Sequence, residues 1–474
     1  MKIAWNIRRD RSMFSIVDHS PKLCDGIRRR EILRAGGIGL LTGGTLFPST
    51  ATAAPAASRA PKSCILIFLM GGPPQHSTWD PKPDAPAEVR GEIAPIDTSV
   101  PGLHVGELMP LTARLMHHIA PLRAVSTDDN AHSSSGYFMM TGVPHIPMNF
   151  ENANPGAPNN WPTMASVVQH LHHGPQLLPP AVRLPHQIFN TDGSVWPGQD
   201  SGWLGHAADP WLLNCRPADP GFKIPHFELA ADTQLGRLEN RRSLLSQLEQ
   251  QLKQTERSGE IDNFNSLQRQ AFDLLQTTEA RAACRVDQEP DAVRDRYGRG
   301  QFGQSLLMAR RLVEAGVSLV QVNWFRGADE PPDTPCWDSH VRETERLRTV
   351  LLPPFDRAYS SLLTDLIDRG RLDDTLVVVM SEFGRTPRFN AVGGRDHWGH
   401  VFSVAFAGGG IRGGQPYGRS DPRAAYPAEG RVGPPDLLAT ILHCLGYDPA
   451  AEIHDPLGRP IPLSRGQVIA PLLA

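Results

Sequence analysis

Cys64-Ile65-Leu66-Ile67-Phe68-Leu69-Met70 runs directly into Gly71-Gly72-Pro73-Pro74. An unbroken apolar run closed by breakers predicts a strand buried on both faces, as strands of a parallel sheet are. The same reading makes strands of residues 121–125, 317–323, Thr375–Met380 and Phe402–Ala407. Helical periodicity falls between them, at 302–315, at 341–369 with a break near Pro353-Pro354, and at 436–445. A shorter helix is read at 108–118, and another starts at the serine run 133–135. Helices alternating with fully apolar strands predict an α/β layered fold with a mostly parallel sheet. In such sheets ligands collect at the carboxyl ends of the strands.

The rest of the chain is less regular. Residues 73–104 read as a long loop, and 143–227, rich in Pro, Gly, Trp and His, as irregular connections with short elements. From 228 to 283 the pattern changes. Leu235, Leu238, Leu245, Leu248 and Leu252 recur amid Gln, Glu and Arg, which predicts a helical hairpin lying on the domain or contacting a copy of itself in a homo-oligomer.

Composition bounds the function. With 474 residues, 40% hydrophobic and 20% charged, the chain is an ordinary globular protein with a large core. Net charge is +5 over residues 1–53 and −8 over the remainder, which argues against a nucleic-acid binder. The first 53 residues read as an export signal: Arg28-Arg29-Arg30, a weakly apolar stretch 35–47, then Ala51-Thr52-Ala53. This is a twin-arginine signal peptide, with cleavage after Ala53 or Ala56 and a periplasmic or extracellular destination. The apolar stretch is too short to span about 30 Å of hydrocarbon, and no other segment reaches the roughly 20 residues a span needs. Export by this route carries folded cargo, often with a metal or cofactor inserted beforehand. Five cysteines remain in 54–474 with no CxxC among them, so each reads as a small buried apolar residue.

The residues that follow the strands carry the chemistry. His76, Thr78 and Asp80 follow the first strand, and Asp128, Asp129, His132 and Ser133 the second. Trp337-Asp338-Ser339-His340 follows the third, and Ser381-Glu382-Phe383-Gly384-Arg385 the fourth. Asp396-His397 leads into the last. Each motif alone is also what a capped turn looks like. Their recurrence at one sheet edge is what suggests a site for zinc, manganese or calcium. Nucleotide-binding glycine fingerprints and the serine-hydrolase elbow are absent.

Longer blocks carry a resemblance. They are Gly71-Gly72-Pro73-Pro74-Gln75 with Trp79-Asp80-Pro81-Lys82-Pro83, and Asp129-Asn130-Ala131-His132 through Thr141-Gly142. Others are Trp337-Asp338-Ser339-His340, Glu382-Phe383-Gly384-Arg385-Thr386-Pro387 and Gly394-Arg395-Asp396-His397-Trp398. Together they resemble the twin-arginine-exported bacterial family called domain of unknown function 1501, abundant in planctomycetes, along essentially the whole chain. That family has no settled activity. More remotely, the order of parts is similar to the alkaline phosphatase and sulfatase superfamily. That resemblance implies an alkaline-phosphatase-like three-layer sandwich spanning 54–474, with 228–283 as a helical-hairpin insertion. It also implies a metal-dependent hydrolase of phosphate or sulfate esters, acting on a small-molecule or polysaccharide substrate.

Carried over position by position, the resemblance offers Asp338, His340, Glu382 and His397 as metal ligands, with Asp396 a ligand or behind one. Ser133 is the candidate nucleophile, His132 a general base or ligand, and Arg385 a clamp for phosphate or sulfate. The departures are specific. Met70-Gly71 stands where the superfamily has an Asp, and Glu382-Phe383 where it has Asp-His. The superfamily's nucleophile position falls on His132, and no Cys-x-Pro-Ser-Arg occurs for a formylglycine. His76, Asp80 and His132 are the residues that could rebuild a second metal site. The alternative is a non-catalytic secreted binding or assembly protein on the same scaffold.

Overall fold

The computed structural model describes residues 63–172, 178–222, 278–324 and 336–474, which belong to one compact unit, 59–474. The signal segment 1–53 and nearly all of the 228–283 hairpin lie outside the described residues; of the latter, Thr278–Ala283 is helical.

Seven strands form the central sheet: β1 Ser63–Phe68, β2 Ile119–Val125, β3 Ala181–Leu184, β4 Trp211–Leu212, β5 Leu319–Asn323, β6 Thr375–Met380 and β7 Phe402–Ala407. Their spatial order is β2-β7-β6-β1-β5-β3-β4. β1 pairs parallel with β5 and β6, and β3 pairs parallel with β5 and β4. β7 runs antiparallel to both β6 and β2. One reversed strand in an otherwise parallel sheet matches the mostly parallel architecture expected from the apolar runs. Every residue of β1, β5 and β6 is buried. Since alternate side chains point to opposite faces, both faces of the sheet must be covered.

The main helices are α1 His132–Thr141, α2 Met164–Leu171, α3 Gln301–Glu314, α4 Leu352–Asp368 and α5 Pro434–Cys444. α3 packs on α4, β5 and β1; α1 packs on α5; α2 packs on β3 and β5. The five described cysteines are buried and form no disulfide.

The 143–227 region supplies β3, β4 and α2, the short elements expected there, and two expectations elsewhere are corrected. Arg183 interrupts the apolar pattern of β3, yet it is buried, its guanidinium donating to Gln199. The loop read at 73–104 contains a small hairpin, Pro95–Asp97 with His104–Gly106. Pro353-Pro354 do not break a helix. They sit in the first turn of α4, where missing N–H groups cost nothing, behind a π-helical turn at Leu347–Leu351.

Candidate metal centre

The sheet brings five segments to one edge. Gly71 follows β1, His132 opens α1 after β2, Asp338 lies beyond β5, and Glu382 follows β6. His397 belongs to a short antiparallel ladder, His397–Trp398 with Gly384–Arg385, in which His397 faces Arg385. Because β7 is reversed, the segment entering it arrives at the edge where the parallel strands end. Gly71 has φ +109, and a Cβ there would collide with the backbone nitrogen of Asp338, so only glycine lets β1 end against the site.

Asp338 is the hub. His132 Nε2 lies 3.2 Å from its Oδ2, while His340 Nε2 and His397 Nε2 lie 3.0 and 3.1 Å from its Oδ1. The two latter nitrogens are 2.9 Å apart. The other nitrogen of each imidazole is taken. His132 Nδ1 is 2.7 Å from Glu382 Oε1, His340 Nδ1 is 3.0 Å from Asp396 Oδ1, and His397 Nδ1 donates to the Asn130 carbonyl at 2.7 Å. An acceptor on Nδ1 places the proton there and leaves the Nε2 lone pair directed at the centre. Three such lone pairs converge on one carboxylate, with acceptors behind each ring, which is how metal-bound histidines are oriented. The separations among Asp338 Oδ1, His340 Nε2 and His397 Nε2, near 3 Å, are close to the edge, about 3.3 Å, of a tetrahedron with bonds of about 2.0 Å. Donor atoms of His132, Asp338 and His397 all lie within 4.8 Å of one another.

Charge favours a cation as well. Among the described residues, Glu151, Asp338, Glu382 and Asp396 lie about the cluster, and the Arg385 guanidinium pairs with Asp338. Burial opposes a charge on His132, yet the Asp338 and Glu382 carboxylates drive its pKa up to about 10. The hydrogen bond to Asp338 raises His340 in the same direction. Burial and the neighbouring His132 push His397 down to about 3. Burial would raise Asp338, but the positive charges of His132 and Arg385 hold it well below the usual carboxylate range. A divalent ion would meet the same charge demand that protons on His132 and His340 meet.

Several residues named from the sequence have other roles. Glu382 is not placed as a ligand: Oε1 accepts from His132 and from the Gly71 N–H at 2.8 Å, and Oε2 accepts from Ser381 at 2.7 Å. It orients His132, as Asp396 orients His340. Ser133 is not aimed at the cluster. It is fully buried, its hydroxyl donating to the Phe150 carbonyl at 3.0 Å and accepting from the Ala153 N–H at 2.9 Å. Arg385 is not open to an anion. It is fully buried and donates to the carbonyls of Gly71, Gly72, Trp337 and Arg395, and to Asp338 Oδ1 at 2.5 Å. Of the residues that could rebuild a second site, only His132 joins the cluster. His76 bonds to the Arg423 carbonyl, and Asp80 pairs with Lys82 and Arg123.

A small pocket of about 30 Å³ opens on His132 and Asp338, and Glu151, Asn152, Thr191 and Trp196 help line it. Glu151 Oε1 accepts the His132 backbone N–H at 2.8 Å and lies 3.7 Å from His397 Nδ1; burial raises the pKa of its carboxyl. These four wall residues fall in the stretch read as irregular, where no periodicity or motif singles them out.

The family model described as "Protein of unknown function (DUF1501)" matches residues 61–473. No curated protein matches the chain in sequence. Among solved structures it is similar to a 2-O GAG sulfatase, with 12% identity, TM-score 0.39, and coverage of 87% of this chain and 74% of that one. It is also similar to a sulfatase from Pseudoalteromonas sp., with 12% identity, TM-score 0.36, and coverage of 82% and 68%. An alkaline phosphatase from the Antarctic bacterium TAB5 matches with 11% identity, TM-score 0.36, and coverage of 82% and 100%.

Proposed function

The chain belongs to the DUF1501 family, and on that premise we propose that it is an exported, metal-dependent hydrolase of ester substrates. The observation that carries this reading is the convergence of three imidazole Nε2 atoms on Asp338 beside an open pocket. The ligands are His132, Asp338, His340 and His397. A donor set of three imidazoles and one carboxylate suits zinc-type ions better than calcium, which prefers oxygen ligands throughout. When bound, the ion supplies Lewis acidity at an ester oxygen.

The chain's own residues do the positioning. Glu382, Asp396 and the Asn130 carbonyl fix three tautomers, and Arg385 fixes Asp338. With Ser133 committed to backbone groups, the attacking group is solvent water, and no serine ester forms. Small-molecule or polysaccharide esters are the substrates the resemblance implies, and the periplasm or exterior is the destination its signal implies.

Purified full-length protein should hold about one divalent ion per chain, and Asp338→Ala and His397→Ala should each lose it. A parent protein without metal after growth in zinc-supplemented medium defeats the reading. Metal without turnover across an ester panel moves the assignment to a non-catalytic secreted binding protein.

A further inference from the structure

We propose that Glu151 makes this centre select uncharged carboxylic esters and reject phosphate and sulfate monoesters, an inference that rests on the metal-centre reading above. The best place for an incoming anion near the cluster is the amino end of α1, where unpaired N–H groups and the helix dipole favour negative charge. That place is already filled by a carboxylate. Glu151 Oε1 accepts the N–H of His132, the first residue of α1, at 2.8 Å.

The segment carrying Glu151 is fastened to the same helix end. The Asn130 N–H donates to Asn149 Oδ1 at 2.7 Å, and the Ser133 hydroxyl to the Phe150 carbonyl at 3.0 Å. The Phe150 N–H donates to Ser134 Oγ at 3.0 Å, and the Ala153 N–H to Ser133 Oγ at 2.9 Å. The serines that resemble a nucleophile motif therefore hold Glu151 in the pocket wall. An anionic ester entering there meets Glu151 first and Asp338 behind it. Arg385, the guanidinium beside the centre, is wholly spent on backbone carbonyls and Asp338. Apart from Glu151 and the centre's own His132 and Asp338, the polar groups of the wall, Asn152, Asn190 and Thr191, are neutral. Phe189 in that wall is 40% exposed, and Met70 and Trp196 also line the pocket, apolar surface suited to an uncharged acyl or aryl group.

In the reaction, the oxygen of water bonds to the acyl carbon and the bond from that carbon to the alcohol oxygen breaks. One water proton passes to the departing alcohol, and the other leaves as the carboxylic acid ionises.

The test uses the full chain with the metal it carries on purification. Glu151→Gln retains an oxygen to accept the His132 N–H, so the helix cap survives. Inorganic phosphate is titrated calorimetrically into parent and variant at about pH 7.5 and again at about pH 8.5, so that the raised carboxyl of Glu151 is carried toward its ionised form. Removing one nearby negative charge should tighten phosphate binding about 10-fold or more. The parent should turn over 4-methylumbelliferyl acetate at least about 10-fold faster than the matching phosphate and sulfate esters, and the variant should narrow that ratio. Equal phosphate affinity in the two proteins, or a parent that prefers the phosphate or sulfate ester, overturns the proposal. Glu151→Ala serves as the second variant if the first melts well below the parent. Metal content is measured in parallel. A metal-free parent defeats the centre, while the phosphate ratio still decides the role of Glu151.

Discussion

His132, Asp338 and Glu382 form a chain in which each side chain fixes the next, and two substitutions separate ligand from support. Glu382→Gln keeps the shape but weakens the acceptor behind His132 Nδ1, so metal affinity should fall about 10–100-fold while the fold persists, as read by competition with a chelator. Ser133→Ala should leave metal content unchanged and cost stability instead. It strands the buried Ala153 N–H and removes the donor to the half-buried Phe150 carbonyl, at about 1–3 kcal/mol in a denaturant titration. Loss of metal in Ser133→Ala with unchanged stability would reverse these roles. Asp338, His340 and His397 could be singled out in the sequence because each follows or precedes an apolar strand, and the structure brings the three side chains together. The sequence cannot say which atom of Glu382 or Arg385 is already bonded. Both sit one turn from a strand end, as ligands do, and only the packing reveals that their hydrogen-bonding capacity is spent on Gly71, Ser381 and the backbone.

At the scale of elements, the reversed strand β7 explains why a histidine preceding a strand reaches the same edge as carboxylates following strands. The alternation of apolar runs reveals the strands but not their direction, and it misses β3 because Arg183 and the flanking prolines hide a buried strand. The 3-10 turn Gln75–Ser77 is a second case. Its histidine reads as a possible ligand but is a neutral structural group, with Nε2 on the Arg423 carbonyl and Nδ1 buried without a partner. Burial, then the charges of Arg395 and Lys82, hold its pKa well below 6.5. Below about pH 6.5 the unfolded chain takes up a proton that the folded turn refuses, so stability is lost as pH falls. His76→Gln removes that difference. Between about pH 6.5 and 5.5 its unfolding free energy should decline less steeply than the parent's, by up to about 1.4 kcal/mol per pH unit. Parallel slopes would place His76 outside the acid response.

For the whole molecule, the proposed metal centre and the proposed export signal bear on one another. The ligands come from segments far apart in sequence, from His132 to His397, so the donor set exists only once the sheet has closed. A chain exported unfolded would have to assemble that set and find its metal outside the cytoplasm. A chain exported folded can be loaded before it leaves, because a site built from distant segments gains metal affinity with folding itself. The paired Arg29-Arg30 ahead of a short, weakly apolar stretch fit the second route. Replacing both with Lys keeps the positive charge and the apolar stretch but removes the paired guanidinium groups. The expected outcome is full-length precursor retained in the cytoplasm, folded and already carrying its divalent ion. Cell fractionation, the mass of the retained chain and its metal content check this together. Normal processing of the double variant would refute the export route, and a retained, folded but metal-free precursor would place metal loading after translocation.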